Sequence, residues 1–322
     1  MMCKWILLSL LVAAASAIEF TNPIVPQAPD PWMVYYKGFY YFLATTWDNT
    51  ITIRKASTLA ELKNVENKVV YTFDGHTAWA PEIHQVDNRW YLYYAACDPN
   101  TQNYGCHRNK VAESVGDDPM GPYQFKATLV DEGDPMELDP TLIKIGDKYY
   151  LIGSTQQLYI RELSNPFTLA PGRKAIISSP TYDWERVWEN INEGPEPLYH
   201  DNRTFVVYSA SSCNTSEYKL GLLEFVGSDP LNITHWKKNP TPVFQTNEEN
   251  HVYGPGHNGF FKSPDGTEDW IVYHANDSPN SGLCTMVRSA RAQKFTWGDD
   301  GLPIFGVPVA DDVELQGPSG EQ

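Results

Sequence analysis

Leu138-Asp-Pro-Thr-Leu-Ile-Lys-Ile-Gly-Asp-Lys-Tyr-Tyr-Leu151 decides the fold. A carboxylate beside a proline opens a β-rich run, Gly146-Asp147 turns the chain, and paired aromatics bring it back, which predicts a β-hairpin. The design recurs. Asp30-Pro31 leads to Tyr40-Tyr41, Ala80-Pro81 to Trp90-Tyr91, and Gly194-Pro195 to Thr204-Phe205. Gly256-His257 opens a longer copy that returns through Trp270-Ile-Val-Tyr273. Starts at 30, 80, 139, 194 and 256 give intervals of 50 to 62 residues, a period that suits propeller blades of several short strands. The expected fold is therefore all-β, a single five-bladed β-propeller.

The blades fill almost all of the chain, and the segments Ile18–Ile24 and Pro303–Val309 near its two ends are expected to meet and seal the ring. Before them, Lys4 and the apolar run Trp5–Ala15 end in the small residues Ala15-Ser-Ala17, which predicts a secretory signal over residues 1–17 and a catalytic propeller over 18–322. The apolar run is too short to span a bilayer comfortably, so no membrane anchor is expected. Helix signals are sparse, with Ser57-Thr-Leu-Ala-Glu-Leu62 predicting one short outer helical turn.

A net charge of −16 argues against nucleic acid and anionic membranes, and disfavours strongly anionic polysaccharide. A neutral ligand fits better, and 19 Tyr with 10 Trp offer faces on which sugars stack. Cys97, Cys106, Cys213 and Cys284 remain beyond the signal, an even number in an oxidising context. Three pairings are open, and loop positions favour 97–106 with 213–284. Asn202, Asn214, Asn232 and Asn276 begin N-glycosylation sequons expected on exposed loops.

In a propeller the first strand of each blade runs beside a central channel, so the five starts converge on one mouth. Three carry acids in register: Asp30, Asp139 and Glu193, with Ala80 and Gly256 leaving room between them. One Asp-Pro alone is ordinary turn chemistry. Three crowded carboxylates repel, which pushes one pKa up and separates an acid from a base. Glycoside hydrolysis requires that separation.

Asp30-Pro, Trp79-Ala-Pro-Glu, Leu138-Asp-Pro-Thr, Asn192-Glu-Gly-Pro-Glu-Pro and Gly254-Pro-Gly-His-Asn-Gly together resemble glycoside hydrolase family 43, nearest to its exo-acting α-L-arabinofuranosidases. The resemblance implies a five-bladed inverting enzyme with Asp30 as general base, Glu193 as general acid and Asp139 as the residue that orients the acid and tunes its pKa. Glu196 is a rival acid, weakened by its place inside the following strand. Trp79 is a candidate sugar-stacking residue, and Trp32 and Trp47 are candidates for the pocket rim. Arg288 and Arg291 are candidate partners of a catalytic carboxylate. The chemistry needs no cofactor, although the resemblance implies a structural calcium in the channel, held mostly by waters with His257 near it. The expected partner is a neutral arabinose-containing saccharide and the expected protein a secreted monomer. A β-D-xylosidase, an endo-arabinanase and a lectin-like propeller are the alternatives. The last would not need three acids in register.

Overall fold

The computed structural model describes residues 18–101, 105–131, 133–134, 136–279 and 284–322. The signal expected over residues 1–17 lies outside them. Five sheets, each built from consecutive antiparallel strands, form the blades. Their first strands are Trp32–Tyr36, His76–Val86, Leu138–Ile145, Asn192–His200 and Tyr253–Lys262. Each touches the next and the fifth touches the first, which closes the ring. Short helical turns at Leu59–Glu61, Asp183–Glu185 and Ile233–His235 are the helical elements among the described residues. The first is the turn predicted around Ser57, with the Thr58 hydroxyl accepting from the Glu61 N–H.

The hydrophobic core follows from the repeat. Alternate residues of each strand face the neighbouring blades, so apolar side chains collect in five clusters, one per blade interface. Met33, Tyr40 and Trp270 fill the seam between the fifth and first blades, and Trp90 with Leu92 packs under Ile51 and Ile53 in the next. Tyr93 with Tyr159, Tyr150 with Val206, and Phe205 with Phe244 continue the series around the ring.

A left-handed residue marks the start of every inner strand. Asp30 (φ 54°), Ala80 (φ 44°), Asp139 (φ 53°), Gly194 (φ 53°) and His257 (φ 44°) share this conformation. Pairing along four of these strands shifts register at the same point, a β-bulge that re-aims the chain beside the channel. The fifth copy is therefore registered on His257-Asn258 rather than on Gly256-His257. A histidine, not an empty place, completes the ring.

Closure also differs from expectation. The N-terminal strand Glu19–Thr21 pairs with Glu314–Gln316 at the far C-terminus. Pro303–Ile304, the segment expected to meet it, is the outer strand of the fifth blade. The N-terminal chain is sewn to that blade as well. Asn22 donates to Ala292 O at 3.0 Å and accepts from its N–H at 2.9 Å, and the Ile24 N–H reaches Ala290 O.

Both favoured disulfides form, Cys97–Cys106 and Cys213–Cys284. Asn202 sits in an exposed turn, whereas Asn276 is 4% exposed at the end of a strand. That sequon is not on an exposed loop.

Candidate active site

Asp30, Asp139, Glu193, Trp47, Trp79 and His257 line one pocket of about 160 Å³ at a mouth of the channel, together with Arg288 and the Cys213–Cys284 bridge. The acids reach it from three blades, and their surroundings make them unlike.

Asp30 is held as a carboxylate. Its Oδ1 accepts from Arg288 Nη1 at 2.9 Å and its Oδ2 from Thr45 Oγ1 at 2.6 Å, while its own N–H donates to His274 Nδ1 at 3.0 Å. His257 Nδ1 lies 3.5 Å from the same Oδ1. Burial pushes the carboxyl up, but Arg288, His257 and His274 outweigh it and hold Asp30 well below the usual carboxylate range. Thr45 in turn accepts from the Ala80 N–H at 2.8 Å, so it ties the left-handed residues of the first two blades together.

Glu193 has the opposite environment. Tyr218 donates its hydroxyl to Oε1 at 2.8 Å, but no cation among the described residues pairs with it at salt-bridge distance. Burial and the neighbouring Asp139 push its pKa up to about 8. Asp139 accepts the Gly194 N–H on Oδ2 at 2.8 Å. It grips the backbone one residue beyond Glu193, and its own pKa is raised by burial. Gly194 is required here twice over: it is left-handed, and a Cβ would stand 3.1 Å from His257 Nδ1. Behind Glu193, the Asn192 amide donates to the buried Glu185 at 3.0 Å, and Lys238 pairs with that carboxylate at 2.8 Å.

A second ring lies two residues further along the strands. Trp32, Glu82, Thr141, Glu196 and Gly259 occupy it. Trp32 Nε1 donates to Glu196 Oε1 at 3.2 Å, and Thr141 Oγ1 to Oε2 at 3.3 Å. His84 Nε2 is 2.8 Å from Glu82 Oε2. Burial first, then their mutual repulsion, raises Glu196 well above the usual range; burial does the same to Glu82. Trp32, His84 and Glu196 line a second cavity, of about 680 Å³, which shares no lining residue with the pocket of the three acids.

That ring corrects one expectation and sets the rival acid apart from the pocket. Trp32 does not rim the pocket, because it stands two places past the left-handed Asp30 and lines the second cavity instead, where its ring tilts against His84. Glu196 sits beside it, away from Asp30. Arg291 is also elsewhere: it is fully buried and engages Asp277 Oδ1 at 2.6 Å and the Asp311 carboxylate. Arg288, three residues earlier, is the arginine on Asp30. Trp79 does stand in the pocket wall, stacked on His107 at 3.6 Å and tilted toward Trp47 at 6.2 Å.

Thr45, Ser209, Tyr218 and His274 were not foreseen. The hairpins contained the signal for three of them. The end of each second strand must lie opposite the start of its first, and Ser209 pairs with Glu193 and His274 with Gly256. Thr45 stands just past the corresponding strand. Tyr218 had no such signal, since it enters from a loop. Gly256 makes room for it: a Cβ there would fall 2.2 Å from the Tyr218 ring.

The implied calcium finds few ligands. His257 offers one free ring nitrogen beyond Nδ1, and the nearby carboxylates are engaged with Arg288, Gly194 and Tyr218. A hard cation seeks six to eight oxygens. Among the described residues the one cluster of three metal-type side chains is His76, Cys97 and Cys106, whose cysteines are joined to each other. The side chains present do not form a calcium cage, and no chemistry is routed through one.

A closed five-bladed ring with three unlike carboxylates at one mouth defines a class of sugar-cleaving propellers. The model of glycosyl hydrolases family 43 matches residues 20–303, and the chain belongs to that family. An extracellular exo-α-(1→5)-L-arabinofuranosidase of Streptomyces avermitilis is 36% identical over 93% of this chain and 66% of its own length. Alpha-L-arabinofuranosidase 43 of Humicola insolens is 33% identical over 92% of this chain and 65% of its own. The chain thus spans just under two thirds of the length of these relatives. The crystal structure of an α-L-arabinofuranosidase from Lactobacillus brevis superposes with a TM-score of 0.84 at 33% identity, covering 91% of this chain and 98% of that one.

Proposed function

We propose that the protein is an exported, exo-acting α-L-arabinofuranosidase that removes terminal L-arabinofuranosyl units from neutral arabinan or arabinose-bearing hemicellulose, with inversion. The observation that carries this reading is the contrast between Asp30 and Glu193 in one small pocket. An inverting site needs one carboxylate that stays ionised and one carboxyl that keeps its proton.

Asp30 takes the proton of a water as that water attacks the anomeric carbon. Glu193 gives its proton to the leaving oxygen in the same displacement, so one bond forms and one breaks at the far face. Asp139 holds the Gly194 N–H, fixes the backbone that carries the acid, and keeps the acid's pKa high by its charge. Trp79 and Trp47 offer the sugar an aromatic wall. A pocket of about 160 Å³, walled in part by the Cys213–Cys284 bridge, has room for one sugar ring and suits a chain end, which supports exo action. The apolar leader and the extracellular naming of the S. avermitilis relative support export, and the unbroken ring of blades supports a protein that works as a monomer.

The test is proton NMR of the first sugar released from linear arabinan. Free L-arabinose with inverted anomeric configuration before mutarotation is the expected result. A retained anomer would overturn the assigned roles, and an early ladder of oligosaccharides would overturn exo action. Faster turnover of aryl β-D-xylopyranosides than of aryl α-L-arabinofuranosides would overturn the substrate.

A further inference from the structure

The bare indole of Trp188 has no part in the chemistry just described. It is the most exposed large apolar side chain among the described residues, at 76%. It belongs to the segment between the third and fourth blades, one residue before Glu189, which lines the catalytic pocket, and five before Glu193. Its backbone is left-handed, φ 67°, a strained conformation for a bulky side chain.

The strain persists because the backbone around it is pinned. The Val187 N–H donates to Ser211 Oγ at 3.0 Å, and Val187 O accepts from the N–H groups of Glu189 and Ser212. Ser212 Oγ donates to the Glu189 carboxylate at 2.5 Å. A large apolar ring is thus presented to water on a fixed backbone at the edge of a polar pocket. Burial would be gained on contact with a ligand, at little further cost in ordering. Trp47 repeats the arrangement on the first blade, with φ 62° and 41% exposure. Trp47 lines the pocket itself, however, whereas Trp188 stands outside it.

We propose that Trp188 is a specificity-determining residue, a stacking platform for the neutral pentose units beyond the one being cleaved. This rests on the proposed glycosidase function and adds how the enzyme prefers chains to small glycosides. A pocket with room for one ring cannot hold the remainder of a polymer, so that remainder must lie across the rim. A furanose ring presents a flat C–H face that an uncharged indole accepts without removing any ion from water. An aryl group on a single arabinofuranose offers no second pentose ring for such a platform to hold.

The experiment compares Trp188→Ala and Trp188→Phe with the intact full-length enzyme. The substrates are linear arabino-oligosaccharides of two to six units and an aryl α-L-arabinofuranoside. The expected result for Trp188→Ala is a loss of about 3- to 10-fold in kcat/KM on chains of three or more units. That loss should appear in KM, with the aryl substrate within about twofold of the intact enzyme, and Trp188→Phe should recover most of it. Equal losses on chain and aryl substrates would mean that Trp188 only supports the loop, and unchanged kinetics on chains would mean that it touches no substrate. Either overturns the platform. Failure of the proposed function reads differently, as an intact enzyme inactive on every arabinofuranoside. The same comparison is then made on xylo-oligosaccharides and the aryl xyloside, with the same two outcomes deciding.

Discussion

Tyr218 and His274 lie ring over ring, with 5.8 Å between centroids and 8° between planes. Through this stack the two reacting groups share one support. Tyr218 holds Glu193 by its hydroxyl, and His274 takes the Asp30 N–H while its other nitrogen lies 3.3 Å from Arg288. His274 is fully buried, and burial with the Arg288 charge beside it pushes its pKa down to about 3. It is therefore neutral near pH 7 and bears on Asp30 through hydrogen bonding rather than through a charge of its own.

Tyr218→Phe keeps the ring and removes one donor. That hydroxyl favours the ionised form of Glu193, so its loss should raise the acid's pKa. The basic limb of the kcat/KM profile should move up by about half to one pH unit, with a loss of a few-fold at the optimum. A profile shifted to lower pH would show that the hydroxyl does not act on Glu193.

Glu193→Gln separates the true acid from its rival. This substitution should lower turnover of arabinan by about 100-fold or more while sparing an activated aryl glycoside, whose leaving group needs little protonation. Glu196→Gln, in the second ring, should stay within a few-fold on both. Stability supplies a second readout. The folded-state pKa of Glu193, about 8, lies above the unfolded value. Its contribution is thus complete below about pH 4 and is lost as pH rises through 8. Between pH 5 and 9 the melting temperature should fall less in Glu193→Gln than in the wild type. An equal fall would mean that Glu193 is not held protonated.

Arg288→Lys should be harmful although the charge is kept. The guanidinium spans Asp30 Oδ1 and the Thr285 carbonyl, which its Nε reaches at 3.0 Å. An ammonium cannot make both contacts in that geometry. A charged hydrogen bond of this kind is worth about 1.5–3 kcal/mol, so kcat/KM should fall about 10- to 100-fold. The acidic limb should move to higher pH as Asp30 loses its partner. Unchanged pH dependence would remove Arg288 from the account of the base.

The fold was legible because one signal was written five times. Each hairpin alone is ambiguous, but the interval between Asp30, Ala80, Asp139 and Gly194 repeats, and each precedes a proline that helps mark the bulge. The fifth copy lacks that proline, Asn258 standing in its place, and the register slipped by one residue as a result. Depth in the channel was not legible. Trp32 and Glu196 each lie two residues past the left-handed residue of their blade, and only that three-dimensional register puts them in the second ring, outside the pocket that holds Asp30. A partner arriving from a loop, such as Tyr218 on Glu193, carries no mark in local sequence. Arg288 and Arg291 were alike in sequence; the strand Ser289–Trp297 begins between them, which leaves Arg288 at the mouth and buries Arg291.

Closure gives the last prediction. Because the N-terminal strand pairs with Glu314–Gln316, the seal lies beyond the fifth blade's outer strand, and removing Val313–Gln322 should open it while leaving every blade strand in place. Several contacts go at once. The pairing of Phe20 with Leu315 is lost, as are the Gly317 N–H bond to Ile18 O at 2.7 Å and the Glu321 carboxylate that accepts from the Leu59 N–H at 3.0 Å. Phe20 and Leu315 also pack into the cluster of the first-to-fifth seam, so water gains access to Trp270 beneath them. A few backbone bonds and part of one apolar cluster amount to about 2–4 kcal/mol, or roughly 5–10 °C in melting temperature for a domain of this size. Activity well below that temperature should persist, because none of these groups touches the pocket. A truncated protein that melts with the wild type would show that the contacts at Asn22 and Ile24 alone hold the ring shut.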